Sequence, residues 1–547
     1  MNYVLGGLIF WGLLLFAVWM LRPGSKLLGV TMETQPKGCN IATIVTLVIL
    51  IWASSALMSV CPLWRGELEV TEITDGKISA KVKKFPEDEE PANYTVVKNK
   101  NQYELMAEAL LDGKLYLDYD DVDPRLLEME NPYDTAARKE QKIHYHWDHA
   151  FYNGRYYMYF GVVPVFLLFL PFRVITGAAL TTYHATQIFV GASIIGLFLF
   201  FRLLAKKFFP RLPIAVYLLL GASVSLAGMT HCIAKPTMYM TAFSAGICME
   251  IWSLYFYVRA VWATEDENRA LLTAFFGALF GALAFGCRPP IALANIVAIP
   301  CLVHFLRGRR ITKELLLKLL AAASPYIIIG ILLMLYNYVR FDSPFEFGQK
   351  YQLTVADQSE YGDIMLKLTS RNRINGLIYL FVRSRSLTEE FPFITDGGIF
   401  FTYPVFGAGL FAITSQKVRA MLRESGLKWF VLTGVIAVWV ISMMDIVWSP
   451  YLLTRYKEDI SWLMGMLVFI AVGMKYADSQ GADAPAEEDM REFSFAVSLL
   501  ALFAIFMFTA VFVRLNMEYF TEDQLAWIMD TFLHLRLGVP LPVVETG

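Results

Sequence analysis

The sequence predicts an all-α polytopic membrane protein, and three observations carry that prediction. Of its 547 residues, 56% are hydrophobic and only 18% are charged, which is more apolar than soluble domains usually are. Apolar runs approaching the roughly 20 residues that cross a hydrocarbon core recur along the chain. Residues 144–172 pass from ionisable groups through an aromatic run into an apolar segment. That order matches water, membrane interface and hydrocarbon, because tyrosine rings favour the headgroup layer.

The run at 159–176 decides how the other apolar runs are oriented. If 159–176 does not cross, the short basic loops, including the one with Arg309 and Arg310, lie in the cytoplasm, as the positive-inside rule requires. We therefore expect about twelve transmembrane helices, a re-entrant or juxtamembrane helix at 159–176, and both termini outside. The spans are predicted near 4–21, 41–60, 183–204, 212–229, 237–262, 269–286, 289–306, 317–338, 398–414, 428–447, 459–476 and 496–514.

This topology divides the chain into membrane segments and outer segments. Two N-terminal transmembrane helices (1–60) are followed by a large first extracytoplasmic loop (61–158) and a transmembrane bundle (159–339). A second extracytoplasmic loop (340–397), the C-terminal transmembrane helices (398–514) and an extracytoplasmic tail (515–547) complete the chain.

Two local patterns give the first outer loop its expected structure. Residues 68–82 alternate apolar and polar side chains around Asp75-Gly76, which predicts a small β-hairpin. We expect this hairpin to be an insert, separate from the polar clusters. Apolar residues recur at helical spacing from Tyr103 to Leu111, which predicts a short amphipathic helix closed by Gly113. Such a helix can lie flat on a membrane surface.

Several function classes have no support in the sequence. The net charge is −2 and no long basic block occurs, so nucleic acid is not an expected partner. The six cysteines include no CxxC pair, and no disulfide framework is expected. The sequence contains no P-loop, GxGxxG, GxSxG or HExxH motif, which leaves nucleotide-driven and serine-hydrolase chemistry without a signature.

The first outer loop supplies the candidate acid–base groups. Asp148 is favoured among its carboxylates, because Trp147 and the aromatic run would partly desolvate it and raise its basicity. Nearby protonated histidines would oppose that shift, so the base strength of Asp148 is expected to depend on neutral histidines.

The same cluster has a second interpretation as a metal site. His144, His146, Asp148 and His149 are ligand types that suit zinc or manganese. Their spacing matches no standard site, and hydrogen-bonded packing explains the cluster equally well. No other cofactor is expected.

Cations at the outer ends of predicted spans are candidates for binding a phosphate. Arg288 precedes Pro289 and Pro290, which begin a helix whose N-terminus favours an anion. A guanidinium at a membrane boundary costs free energy unless it has a partner, so Arg288 either snorkels to headgroups or clamps a lipid phosphate. Lys235 and Arg455 are predicted on the same face, and converging cations favour a phosphate site.

These segments together resemble the GT-C superfamily of polytopic glycosyltransferases, and in particular the bacterial members akin to protein O-mannosyltransferases and the aminoarabinose transferase of lipid A. The resemblance covers most of the chain and rests on the order of individually weak motifs. The matching segments are NQYELMAEALLDGKLYLD (101–118), WDHAFYNGRYYMYFGVVPVFLLFLPFRVITG (147–177), KPTMY (235–239), GCRPP (286–290) and YNYVRFDSPFEFG (336–348).

The resemblance implies a GT-C fold and transfer of a sugar from a polyprenyl-phosphate donor. Asn99 and Asn101 stand where the family usually has an acidic residue, so the base is left between Glu104 and Asp148. Arg288, with Lys235 or Arg455, would hold the donor phosphate. The matching segments also suggest a set of substrate-binding residues: His149, Tyr152, Arg155, Tyr239 and Glu346.

The expected activity is therefore inverting glycosyl transfer to a glycan, lipid or protein acceptor, outside a bacterial plasma membrane. Two alternatives remain. A transporter or flippase of lipid-linked glycans needs polar groups at mid-span, where only Glu250 and Asp445 occur as exceptions. A non-catalytic scaffold would keep the fold without an essential carboxylate.

Overall fold

The computed structural model describes most of the chain. Described are residues 12, 14–61, 101–119, 122–354, 356–358, 370–385, 396–448, 453–477 and 487–520, together with four short strands within 68–83. Most of the predicted span at 4–21 and of the tail at 515–547 lies outside these residues.

The described residues confirm the predicted all-α class. The strands, all of them in or next to the first outer loop, are β1 Leu68–Glu69, β2 Glu72–Thr74, β3 Lys77–Ile78, β4 Val82–Lys83, β5 Tyr145–His146, β6 Ala150–Tyr152 and β7 Arg155–Tyr157. The helices are α1 Pro36–Met58, α2 Gln102–Leu111, α3 Pro124–Glu128, α4 Thr135–Glu140, α5 Leu170–Thr176, α6 Thr182–Phe208, α7 Ile214–Ala227, α8 Thr230–Ala234, α9 Met238–Trp262, α10 Glu267–Phe285, α11 Pro289–Ala292, α12 Ala298–Leu306, α13 Lys313–Phe341, α14 Ser370–Leu377, α15 Ile399–Thr402, α16 Val405–Thr414, α17 Gln416–Glu424, α18 Lys428–Trp448, α19 Glu458–Gly473 and α20 Glu487–Leu515.

Eight helices among the described residues are long and apolar enough to cross a membrane, and they identify an integral membrane protein. The predicted count of twelve is not confirmed. The runs predicted at 212–229 and 398–414 form shorter apolar helices, α7 and α16. The eight are Pro36–Met58, Thr182–Phe208, Glu267–Phe285, Pro289–Leu306, Lys313–Phe341, Lys428–Val447, Thr454–Tyr476 and Glu488–Leu515.

The ambiguous run at 159–176 forms a short helix, as predicted. One π-helical turn at Val165–Phe169 leads into α5, which ends at Gly177 in a left-handed conformation with φ of +71°. The apolar helix Val165–Thr176 has 12 residues, about 18 Å at 1.5 Å per residue, which is less than a hydrocarbon core. A Cβ on Gly161 would lie 2.2 Å from the carbonyl oxygen of Gly286, so only glycine allows this segment to approach the chain before Arg288.

The predicted hairpin forms, but it is not a separate insert. β2 pairs with β3 across Asp75-Gly76, and β2 also pairs with β5 in antiparallel register, Ile73 opposite Tyr145. The reason is that β2 has two edges, and the backbone of the histidine-rich stretch occupies the second one. The hairpin therefore supports the segment that leads to Asp148.

The amphipathic helix also forms, as α2, but protein rather than a membrane surface encloses it. Asn101 caps its first turn, and seven of its 10 residues are buried. Its neighbours are the π-helical turn and α5: Tyr103 stacks on Phe169 with ring centroids 5.2 Å apart. Most apolar side chains of α2 are therefore buried by protein, although Leu111 at its end is exposed.

The main hydrophobic core lies between the long helices. Phe201 of α6 stacks on Phe469 of α19 at 4.0 Å, and α19 is buried along its whole length. A second core under the outer loops joins α2 and β5 to Leu353 of the second loop. The described parts of the two predicted outer loops therefore pack against each other, and they hold Asp148.

Candidate active site

Asp148 lies at the junction of the two outer loops, in a conformation that few residue types tolerate. Its φ is +56°, in the left-handed region, which aspartate and asparagine enter more readily than most residues. The Asp148 amide donates to the carbonyl of Leu353, and the Leu353 amide donates to the carbonyl of His149, both at 2.9 Å. The second loop thus fixes the backbone of Asp148, although the two segments are far apart in the sequence. Gln352 and Asp148, for example, are 204 positions apart.

The carboxylate of Asp148 is held by two donors and is 8% exposed. Tyr239 donates its hydroxyl hydrogen to Oδ2, and Gln352 donates from Nε2 to Oδ1 at 3.1 Å. Burial raises the pKa of Asp148 above its usual value, while the Tyr239 hydrogen bond and the charge of Arg455 oppose that rise. The result is a fixed, partly desolvated carboxylate, which is what a general base requires.

Burial favours the neutral form of His149, so this histidine does not add a positive charge that would lower the pKa of Asp148. Burial, followed by the charge of His146, lowers the pKa of His149 to about 3. Nδ1 donates to the carbonyl of Trp147 at 2.8 Å, because a carbonyl can only accept, and Nε2 accepts from the hydroxyl of Tyr119 at 2.9 Å. His149 therefore serves to orient the loop.

The potential metal ligands are not arranged around one point. The ring of His146 stacks on Tyr119 at 3.6 Å, and the ring of His144 lies edge-on to His146 at 5.5 Å. Both nitrogens of His149 are used as described above. Among the described residues, no group of three or more histidine, cysteine, aspartate or glutamate side chains is placed to hold a metal ion.

Arg288 is partnered within the protein instead of snorkelling to the surface. It donates from Nε and Nη2 to the two carboxylate oxygens of Asp459, at 2.5 and 2.6 Å. Its guanidinium also lies 3.6 Å from the ring centre of Phe243. Within the described part of the chain, Nη1 has no hydrogen-bond partner. That donor is available to an anion in the adjacent cavity.

The cavity beside Arg288 has a volume of about 350 Å³. It is enclosed by the 159–162 segment, the start of the helix after Arg288, the Leu333–Arg340 part of α13 and the end of α18 at Met444 and Asp445. Among the described residues, the Oδ2 atom of Asp445 is buried without a hydrogen-bond partner, and Asp445 lines this cavity. The lining combines charged and polar groups with apolar ones: Tyr159, Phe160, Arg288, Leu293, Leu333, Asn337, Arg340, Phe347, Gln349, Asp445 and Tyr456.

Aromatic rings connect Asp148 to this cavity. Arg455 lies 4.6 Å from the ring centre of Tyr239, the residue that donates to Asp148. Arg455 and Arg288 flank the ring of Tyr456, at 5.8 and 5.6 Å. These contacts link the buried carboxylate of Asp148 to the paired guanidinium of Arg288.

The structure brings some of the predicted site residues together and places others elsewhere. Asp148, His149, Tyr239, Arg455 and Arg288 form the site described above. The other predicted residues contact different partners: Glu104 pairs with Arg173, Lys235 lies over Tyr519, Tyr152 donates to Asp342, Arg155 lies over Tyr116, Glu346 pairs with Lys350, and the amide of His144 donates to Asp123.

Glu104 is the clearest case of a different role. It is fully buried, and Arg173 donates to its Oε1 at 3.0 Å. The amide of Leu180 donates to Oε2 at 3.1 Å. Both carboxylate oxygens therefore tie α2 to the segment around α5, which points to an architectural role for Glu104.

Sequence reasoning missed Asp459 and Gln352 as parts of the site. A signal for Asp459 existed, because a buried Arg288 required a carboxylate at the same membrane level, and Asp459 begins a predicted span. Asp445 was noticed only as a polar residue at mid-span. Nothing in the sequence around Gln352 indicates its contact with Asp148.

The comparisons with known proteins concern the fold. No family profile matches the sequence, and no curated protein matches it. The structure is similar to the Archaeoglobus fulgidus oligosaccharyltransferase tethered with an acceptor peptide containing the NVT sequon, with 13% identity and a TM-score of 0.44, over 92% of this chain and 60% of that one. The apo form of that enzyme gives 13% identity and a TM-score of 0.42, over 89% and 58%. The chain thus spans less than two thirds of that enzyme.

Proposed function

We propose that this chain is a membrane glycosyltransferase that moves a sugar from a polyprenyl-phosphate donor to an acceptor hydroxyl on the extracytoplasmic side. The observation that carries the proposal is a buried carboxylate, Asp148, linked through Tyr239, Arg455 and Tyr456 to a cavity that is lined by Arg288. The acceptor would be a glycan, a lipid or a protein, and the membrane would be a bacterial plasma membrane.

In the proposed reaction, Asp148 acts as the general base. The acceptor hydroxyl loses its proton to a carboxylate oxygen of Asp148 as its oxygen attacks the anomeric carbon. The bond from that carbon to the phosphate oxygen breaks, and its electron pair leaves with the polyprenyl phosphate. Asp148 then returns the proton to water. A single displacement inverts the anomeric carbon, and the base contributes about 10²–10⁴-fold.

Arg288 would stabilise the leaving phosphate. Its unpartnered Nη1 is directed by the bidentate contact to Asp459, which fixes the plane of the guanidinium. Charge that develops on a phosphate is stabilised best by a donor that is positioned before the reaction. Arg455 would add a second positive charge between Arg288 and Asp148. Lys235 remains a predicted contributor, although it does not line the cavity.

Asp445 would accept a hydrogen bond from a sugar hydroxyl. A buried carboxylate oxygen without a partner costs free energy, and a donor sugar in the cavity would remove that cost. The apolar lining from Leu293, Leu333 and Phe347 would face the beginning of the polyprenyl chain. This mixture of groups suits a substrate whose head is polar and whose tail is hydrocarbon.

The experiment is a transfer assay with purified protein in lipid nanodiscs. A panel of labelled polyprenyl-phosphate sugars is supplied with a membrane and periplasmic extract as the acceptor source, and release of polyprenyl phosphate is measured. We expect release by the wild-type protein, loss in Asp148→Asn, and no loss in Asp118→Asn, because Asp118 is 57% exposed in the same loop. Equal release by wild type and Asp148→Asn would exclude the mechanism.

The same preparation separates the two alternatives. A flippase would move a labelled lipid-linked glycan across proteoliposomes without cleaving it, and it would do so in Asp148→Asn as well. A scaffold would neither cleave nor move the donor.

A further inference from the structure

A second cavity, of about 550 Å³, lies at the other end of α13 from the candidate site. The site cavity is lined by α13 residues from Leu333 to Arg340, and the second cavity by α13 residues from Leu316 to Tyr326. With a rise of 1.5 Å per residue, the centres of the two regions are about 23 Å apart along the helix. The two cavities therefore lie toward opposite faces of the membrane.

The second cavity opens toward hydrocarbon. Its mouth is formed by large apolar side chains that are exposed on the protein surface, including Ile299 at 59%, Ile311 at 70% and Leu320 at 51%. The polar groups of its inner wall already have partners: Tyr326 donates to Asn295 at 2.5 Å, and Tyr257 donates to Tyr326 at 3.2 Å. These polar groups of the inner wall therefore need no polar ligand to complete their hydrogen bonds.

The loop at the mouth is cationic. Between Leu306 and Ile311, which both line the cavity, the chain carries Arg307, Arg309 and Arg310, and Lys313 begins α13. Arg309 pairs with Glu267 at 2.5 Å. In the part of the chain that the structure describes, Arg307, Arg310 and Lys313 are exposed and have no carboxylate within ion-pair distance. The surplus positive charge lies where an apolar groove meets the membrane surface.

We propose that this cavity binds an anionic phospholipid, with one acyl chain in the groove and the phosphate at Arg307, Arg310 and Lys313. Basic pockets between transmembrane helices on the cytoplasmic side are suited to acidic headgroups. Only 6% of the most apolar 18-residue stretch of α13 is buried by protein. Most of that stretch is therefore accessible to lipid, which is consistent with a bound phospholipid. Lipid contacts at this cavity would thus hold the inner end of a helix whose outer end lines the site.

The test compares lipid retention by native mass spectrometry after purification from vesicles of equal phosphatidylglycerol and phosphatidylethanolamine. We expect the wild-type protein to retain one phosphatidylglycerol. The triple variant Arg307→Gln, Arg310→Gln, Lys313→Gln should lose about 100-fold in affinity, since each cation near an anionic surface contributes several-fold. The matched control is Lys206→Gln, Lys207→Gln, Arg211→Gln, in another basic loop on the same predicted face, and it should retain the lipid.

A second pair of variants tests the groove itself. Ala323 lines the cavity and Ala321, on the same helix, does not. Ala323→Trp should displace the lipid and Ala321→Trp should not, with thermal unfolding used to verify that both fold. Equal retention of phosphatidylethanolamine by the wild type, or undiminished phosphatidylglycerol in either the triple variant or Ala323→Trp, would overturn the proposal.

Discussion

Arg288 and Asp459 form a bidentate pair, with Nε to Oδ1 at 2.5 Å and Nη2 to Oδ2 at 2.6 Å. The two residues are 171 positions apart in the sequence, and Asp459 is fully buried. The pair joins the start of the helix after Pro289 to the start of α19, and its Arg288 member lines the site cavity. Its loss would therefore affect folding as well as donor binding, and the two effects need separate variants.

Arg288→Ala should unfold at a lower temperature than the wild type, because it leaves the Asp459 carboxylate buried without a partner. Removing one member of a buried pair costs about 3–5 kcal/mol. The double variant Arg288→Ala, Asp459→Asn should recover much of that stability. Thermal unfolding in nanodiscs measures both. A double variant as unstable as the single one would contradict the pairing.

Arg288→Lys tests whether Arg288 binds the donor phosphate through its forked hydrogen bonds and not through its charge alone. Lysine keeps the positive charge and loses the fork, so we expect folding to survive while donor affinity and transfer fall by about tenfold or more. Binding of a labelled polyprenyl phosphate is the readout. Unchanged donor affinity in both Arg288→Lys and the stabilised double variant would remove Arg288 from the donor site.

Asp148→Asn should lower transfer by about 10²–10⁴-fold and leave donor affinity largely intact. Burial raises the pKa of Asp148, so its ionised form costs stability, and that cost grows as pH rises from the unfolded pKa towards the folded pKa. At pH 7 the variant should therefore be at least as stable as the wild type. The difference should vanish below the unfolded pKa of about 3.9, as thermal unfolding at several pH values would show.

Glu104→Gln is the matched comparison for Asp148→Asn. It should lower the unfolding temperature, because Arg173 loses a charged partner while Glu108 remains at 2.6 Å. The transfer rate per folded molecule should change little. A variant that folds normally but loses transfer would instead move the base to α2, and unaffected transfer in both variants would exclude both carboxylates as the base.

Tyr239→Phe should move the acid limb of the pH–rate profile to higher pH. Transfer requires ionised Asp148, so the rate falls as pH drops through the pKa of that carboxyl. The Tyr239 hydrogen bond lowers that pKa, and a hydrogen bond to a charged group contributes about 1.5–3 kcal/mol, which corresponds to about 1–2 pH units. Tyr152→Phe is the matched control, because it also removes a tyrosine hydroxyl but Tyr152 donates to Asp342. Gln349→Glu would not serve as a control, since it adds charge to the cavity.

The orientation of the chain predicts that Arg310 and Lys417 are cytoplasmic. All six native cysteines are buried, so their background labelling should be low. Single cysteines at positions 310 and 417 should resist an impermeant thiol reagent in intact cells and react after the membrane is opened. A cysteine at exposed position 118 serves as the labelled control, and labelling of position 310 or 417 in intact cells would invert the topology.

The sequence by itself determined the elements whose signals are local. Apolar runs predicted the long helices, because burial in hydrocarbon depends on length and composition. Asp75-Gly76 predicted the hairpin, because the tight turn depends on those two residue types. The order of polar, aromatic and apolar residues around Asp148 predicted a partly desolvated carboxylate, and Asp148 is buried.

Only the tertiary structure decided which groups share the site. Asp459 joins Arg288 and Gln352 joins Asp148 across 171 and 204 residues, and Glu104 pairs with Arg173 instead of entering the site. No local pattern encodes such pairs, because they depend on how helices and loops pack against one another. Burial then sets their chemistry: the same packing that neutralises His149 raises the pKa of Asp148, since low-dielectric surroundings disfavour charge on both.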